Sequence, residues 1–303
     1  MLRATIAVIL GSVVTSGLFA RDIYVDNVRG DDARDGSSPA VQGRLAGPCR
    51  TIGRALQRAN NGDRIVLANN RGEAYRESVT LQAGRHSGLP NRPFTLDGNG
   101  AVLDGSQPVP PRAWQHVQGH VFRYRPPGMS YQVLYLDDKP AKRAAVSLGE
   151  GLPDLAPLQW CLYQRHIYFR AEKNRLPRHY DLAYTGLPVG ITLYEVRHVV
   201  VRDLIIQGFQ LDGINAHDSV FDAELVGLTC RGNGRSGISI GGASRVDITA
   251  CLVGDNGAAQ VRTEGFSHTR IRNCDLIETS APALLREGGE VSLLGTDEAG
   301  AEE

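Results

Sequence analysis

Four segments decide the fold: Val199-x-Val201-x-x-Leu204-x-Ile206, Phe221-x-Ala223-x-x-Val226-x-Leu228, Val246-x-Ile248-x-x-Cys251-x-Val253 and Thr269-x-Ile271-x-x-Cys274-x-Leu276. Each reads apolar-x-apolar-x-x-apolar-x-apolar, with Thr269 the weak member. Val201, Ala223, Ile248 and Ile271 are spaced by 22, 25 and 23 residues, a range that signals stacked repeats. A second short strand follows in each unit: Gly213-Ile214-Asn215-Ala216, Gly237-Ile238-Ser239-Ile240, Gln260-Val261-Arg262-Thr263 and Ala283-Leu284-Leu285. The apolar residues alternate with period two, so the pieces are strands. The two-residue break between apolar pairs reads as a bend. One unit is then a coil of about three short strands, and stacked coils make parallel sheets.

This spacing predicts an inward ladder of Leu204, Val226, Cys251 and Cys274. A leucine-rich repeat has a similar period but needs a leucine-and-asparagine consensus and a helical return, and neither is present. The reading is an all-β, right-handed parallel β-helix, with an N-terminal capping helix and a small antiparallel β insert.

Composition agrees. The 35 glycines suit a fold of many tight turns. Aromatics are only 6%, which favours stacked aliphatic ladders over one bulky core. The 33 basic and 33 acidic residues cancel, so neither nucleic acid nor a membrane surface is expected as a partner. The five cysteines, Cys49, Cys161, Cys230, Cys251 and Cys274, are an odd number and argue against a full disulfide framework. Cys251 and Cys274 sit one coil apart with parallel side chains, and read as small buried hydrophobes.

The chain divides into five stretches. Residues 1–20 read as a secretory signal: Arg3, an apolar run from Ala4 to Val14, then Ser16-Gly17-Leu18-Phe19-Ala20. A secreted, periplasmic or cell-surface location follows. Residues 21–105 hold the cap and first coils. Ile52, Ala55, Leu56 and Ala59 make one helical stripe suited to covering the open end of a solenoid. The loop 26–39 carries several carboxylates, so Ca2+ is entertained there, but an Asp/Gly turn is the expectation. In 106–187 the period is lost. Trp114, Trp160 and several tyrosines gather there, and Leu162 to Arg170 reads as a hairpin around Gln164-Arg165. Those aromatics are either the insert's own core or sugar-stacking surfaces. Coils resume over 188–295, and an acidic tail, 296–303, ends the sequence. The last coil has no evident cap, so either Val291–Leu294 or another chain closes it.

Tyr24-Val25, Gly30-Asp31-Asp32-x-x-Asp35-Gly36, Pro48-x-x-Thr51-Ile52-x-x-Ala55-Leu56, Gly62-Asp63-x-Ile65-x-Leu67 and Tyr75-x-Glu77-x-Val79 resemble the entry segment of secreted bacterial right-handed β-helix proteins of the pectin-lyase-like superfamily. The resemblance implies the fold. It implies activity only broadly, because that superfamily includes polysaccharide lyases, glycoside hydrolases, epimerases and proteins of no known reaction. Similar proteins often carry an insert beside a binding groove. No motif specific to pectate lyases, pectin methylesterases, polygalacturonases or mannuronan epimerases occurs. The paired aspartates of the hydrolases are also missing, His217-Asp218 being the nearest candidate.

If Ile214, Ile238 and Val261 point inward, Asn215, Ser239 and Arg262 point out in one row. His217, Gly241, Glu264 and Glu287 form the next row, with Asp212 at the flank. A uronate lyase would use His217 as base and Arg262 to stabilise enolate-like charge. A hydrolase would use two carboxylates, Glu264 and Glu287. Asp212, Asn215 and Ser239 would contact the substrate. The expected function is a secreted carbohydrate-active protein, a lyase or a hydrolase acting on an acidic polysaccharide. The competing class is a non-catalytic binding or scaffold protein, including a relative that keeps the fold and has lost the site.

Overall fold

The computed structural model describes residues 20–128, 131–147, 149–278 and 280–295. The expected leader, apart from Ala20, and the acidic tail lie outside the described residues.

The chain winds into a three-sided coil. The first sheet stacks Asp22–Val25, Arg64–Leu67, 94–97, 197–202, Phe221–Val226, Arg245–Thr249, 268–272 and 290–294, all parallel. The second stacks 101–104, 204–207, Thr229–Arg231, Leu252–Gly254 and Asp275–Ile277. The third stacks Val79–Gln82, Ile191–Tyr194, Asp212–His217, Ser236–Ile240, 259–264 and 284–287. Each coil visits the three in that order.

Three apolar ladders fill the interior. Ile23, Ile65, Leu96, Val201, Leu225, Ile248 and Ile271 line the first sheet in register, and all are buried. Each such side chain contributes roughly 1.5–3 kcal/mol through removal from water. The bends fall where the two-residue breaks lie. Asp203, Gly227, Ala250 and Asn273 adopt left-handed φ values of 51°, 62°, 53° and 48°.

This register corrects the sequence alignment. Val201 pairs with Leu225, not Ala223, and Ala223 pairs with Val199. The inward residue after the bend is Leu228 rather than Val226, which lies half-buried beside Arg202. The four segments then step by 24, 23 and 23 residues from Val201 through Leu225 and Ile248 to Ile271. A slip of two residues keeps every side chain on its own face, so alternation could not expose it.

At the corner between second and third sheets, buried Asn233 and Asn256 stack. The Asn233 side-chain amide donates to Asn256 Oδ1 at 3.1 Å, and the same oxygen accepts the Asn233 backbone N–H at 2.9 Å. These bonds satisfy turn backbone that would otherwise be buried without a partner.

The helix Ile52–Arg58 covers the first coil. Thr51 caps it by accepting from the Arg54 N–H at 3.1 Å, and the Glu77 carboxylate accepts from the Ile52 and Gly53 N–H groups, both at 2.9 Å. Ile52, Ala55, Leu56 and Ala59 face the core. At the other end, Leu284 and Val291 of the last strand, Leu284–Leu294, pack partly buried against the core, while Leu293 and Leu294 are about half exposed.

The insert leaves after the second sheet and returns before the third. It is built of two antiparallel sheets. One holds Gln115–Gln118, Val121–Tyr124, Trp160–Tyr163 and His166–Arg170; the other holds Ser106–Pro108, Leu134–Leu136, Lys139–Pro140 and Leu182–Thr185. The hairpin turns at Gln164 and Arg165, both at positive φ. Trp160, Phe122, Tyr124, Phe169 and Tyr184 form the insert's own core. Tyr135 docks the insert on the solenoid by donating its buried hydroxyl to the Gly232 carbonyl at 2.8 Å. Of the described cysteines all are free, and burial pushes the Cys230 thiol up to about 12.

Candidate functional site

The third sheet carries the residues expected from sequence. Asn215, Ser239 and Arg262 are register partners on successive rungs, as the repeat predicted. Ser239 is buried and Asn215 half-buried. Arg262 is not a free cation. Its guanidinium lies 2.6 Å from Glu264 Oε2 and 2.5 Å from Glu287 Oε2. Both distances run from the same nitrogen, so the two oxygens are no more than about 5 Å apart. His217 packs against the Tyr194 ring, centroids 5.2 Å apart, and its Nδ1 meets Asp218 at 3.1 Å. It lies on the Asn215 rung, two rungs from Arg262, a separation of roughly 9–10 Å along the solenoid. The structure therefore does not bring the expected base and charge stabiliser to one sugar ring.

Asp212 takes another place than expected. It shares the inward parity of Ile214 and is fully buried. Its carboxylate is held by the Arg235 guanidinium, at 3.0 Å from Nε, and by the Ser236 hydroxyl at 2.5 Å. That hydrogen bond raises the pKa of Arg235. A substrate cannot reach this carboxylate.

A second charged surface lies on the first sheet and was not found from sequence. Glu224, Asp247 and Arg270 are register partners on three successive rungs. They line a depression of about 560 Å³ with Asp222, Arg245 and His268. Asp247 accepts from Arg270 Nε at 2.5 Å and Nη2 at 2.7 Å, and Arg272 stands 3.7 Å away. The bond to Asp247 raises the Arg270 pKa. Glu224 makes no ion pair among the described residues. Arg245 lies over the Phe221 ring, 5.5 Å from its centroid. Asp247 thus lies between two guanidiniums, while Glu224 on the neighbouring rung is exposed to solvent. The signal was a 23-residue step from Glu224 to Asp247 to Arg270, hidden by the two-residue slip in the second repeat.

The loop 26–39 does not present the oxygen set calcium needs. Asp26 accepts from the Val28 and Arg29 N–H groups, and Asp32 from those of Arg50 and Thr51. No group of three or more His, Cys, Asp or Glu side chains among the described residues is arranged to hold a metal ion. No helix among them is long and apolar enough to cross a membrane.

Residues 187–292 match the family model described as a right handed beta helix region. Together with the coil geometry, this makes the chain a right-handed parallel β-helix. It fits the pectin-lyase-like type of that fold. No curated protein matches the chain. A solved structure titled "Glycoside hydrolase" is similar at a TM-score of 0.58 and 12% identity, covering 84% of this chain and 73% of that one. One titled "The complex structure of XylC with xylose" has a TM-score of 0.45 and 13% identity, over 90% of this chain and 69% of the other. A GH136 lacto-N-biosidase from Eubacterium ramulus has a TM-score of 0.38 and 10% identity, over 90% and 56%.

Proposed function

We propose that the protein is a secreted carbohydrate-active enzyme that hydrolyses a polysaccharide bearing acidic sugars, with the chemistry on the first sheet. The observation that carries this is the pair Glu224 and Asp247: adjacent rungs, one depression, one carboxylate clamped by Arg270 and one unpaired. Adjacent rungs are roughly 4.8 Å apart, close to the separation of about 5–5.5 Å used by retaining glycosidases. Asp247 attacks the anomeric carbon while Glu224 gives its proton to the departing oxygen. Glu224 then takes a proton from water, which displaces Asp247 and restores both groups. Arg245 offers a cation to a sugar carboxylate in the same depression. The likeness to a structure titled "Glycoside hydrolase" makes a glycosidic bond the first linkage to test.

A second reading places the site on the third sheet. It is favoured by the Arg262 bridge, which holds Glu264 and Glu287 within about 5 Å, on the same sheet as the Tyr194–His217 stack but two rungs from it. Asn215 and Ser239 would then line the approach.

The test incubates the protein with uronate-containing and neutral polysaccharides, following new reducing ends and the absorbance of unsaturated products. Reducing ends without unsaturation are expected. Unsaturated product would mean a lyase and would return attention to His217 and Arg262. Silence from folded protein across a broad panel would favour a binding or scaffold role.

A further inference from the structure

The insert and the solenoid enclose a cleft of about 660 Å³ at the corner between the second and third sheets. One wall comes from the insert and carries Lys142, Arg143 and Trp160. The other comes from the turns of the solenoid and carries Asp255, Asn256 and Ser280.

Arg143 lies over the Trp160 ring, 5.2 Å from its centroid. Neither Arg143 nor Lys142 meets a carboxylate within ion-pair distance among the described residues. Several arginines of the solenoid, among them Arg64, Arg202, Arg235, Arg262 and Arg270, each hold an aspartate or glutamate. Arg143 and Lys142 instead stand side by side on the lip of a cleft. Arg143 is exposed, so a solute reaches it, and partial loss of water around its guanidinium lowers its pKa. A bound anion would supply the interactions that lost water no longer gives. A guanidinium's planar fork suits a carboxylate in two-point contact. The facing wall is different in kind. The Ser280 hydroxyl donates to the Asn256 carbonyl at 2.8 Å and keeps its lone pairs, and Asp255 brings carboxylate oxygens. These are acceptors for hydroxyl donors.

We infer that this cleft binds a carboxylated sugar residue, with its carboxylate on Arg143 and Lys142 and its hydroxyls toward Ser280 and Asp255. The sugar identity rests on the proposed function; the anion preference rests on the cleft alone. The site lies on a different corner from Glu224 and Asp247, so it docks an acidic polymer without taking part in bond cleavage.

The experiment titrates the full chain with uronate tetrasaccharides, following tryptophan emission and heat of binding. The same tetrasaccharides with carboxyls reduced to alcohols, and acetate alone, are the comparison ligands. The site predicts binding of the uronates at least about ten-fold tighter than the reduced forms, a difference of ~1.4 kcal/mol. Arg143→Gln should lose about ten-fold or more in affinity, Arg143→Lys less, with circular dichroism confirming that both remain folded. Arg165→Gln, at the hairpin turn of the insert and outside the cleft, should bind as the unaltered protein does, whichever way the hydrolysis test falls. Equal binding of uronate and reduced oligomers, undiminished binding by a folded Arg143→Gln protein, no binding at all, or acetate matching the oligomers would each overturn the inference.

Discussion

Arg270 grips Asp247 from the following rung through both Nε and Nη2, at 2.5 and 2.7 Å. The pair is solvent-facing, with the arginine side chain 60% exposed, so its worth to stability is small, about 0.2–1 kcal/mol. Its worth to catalysis is larger if Asp247 must stay ionised and aimed. Arg270→Ala should leave the melting temperature within a few degrees. It should lower turnover about ten- to hundred-fold, the equivalent of a charged hydrogen bond of ~1.5–3 kcal/mol. Parallel melting and rate measurements check this; a purely structural role would move them together.

Asp212 should behave in the opposite way. Its carboxylate is fully buried and occupied by Arg235 and Ser236. Asp212→Ala strands the Arg235 charge, and breaking a buried pair in this way costs about 3–5 kcal/mol. Denaturant unfolding should show that loss. A variant of unchanged stability would place Asp212 back among the ligand-facing groups.

His86 ties the capping helix to the first coil. Its Nδ1 accepts from the Gln82 N–H at 3.1 Å, and Nε2–H donates to the Leu56 carbonyl at 3.0 Å, which requires the neutral ring. Burial lowers its pKa below the ordinary imidazole value. The unfolded chain therefore takes up a proton at a higher pH than the folded one. Stability is fully present above the unfolded histidine value, about 6.5, and is lost as pH falls from there toward the lower folded value. His86→Gln should flatten that part of the stability–pH curve. An unchanged slope between about pH 6.5 and 5 would show that other groups control it.

Ala250 holds φ at 53° where the equivalent corners use Asp203, Gly227 and Asn273. A left-handed alanine costs about 1–2 kcal/mol, and glycine's extra freedom in the unfolded chain returns about 0.4–1 kcal/mol of that. Ala250→Gly should therefore stabilise the protein by up to about 1 kcal/mol, seen as a raised denaturation midpoint. A lowered midpoint would mean that the corner is not strained.

Most of the fold was legible because inward residues recur on a period the chain must keep. Val201, Ile248 and Ile271 announced the first sheet, and the breaks after them announced the bends. The helix was legible from Ile52, Ala55, Leu56 and Ala59. The second repeat was misplaced because Phe221-x-Ala223 and Ala223-x-Leu225 satisfy the same apolar pattern. Only pairing with Val199 and Val201 tells them apart. That slip also hid the outward row Glu224–Asp247–Arg270. Asp212 was misjudged for want of a simpler test: it has the parity of Ile214 and so points inward. The Asn233–Asn256 stack was visible as Asn-Gly at Asn233-Gly234 and Asn256-Gly257, one period apart. Which aromatics of the insert face a ligand was not legible, because the non-local pairings of Trp160 and Tyr124 decide it.

The measurement that bears most directly on the account is reducing-end release from the best polysaccharide of the panel by four variants. Glu224→Gln and Asp247→Asn should each fall by about a hundred-fold or more, the usual worth of a positioned acid or base. Glu264→Gln and Glu287→Gln should retain activity within a few-fold. The reverse pattern would move the chemistry to the third sheet. Full activity in all four would remove both carboxylate pairs from the mechanism.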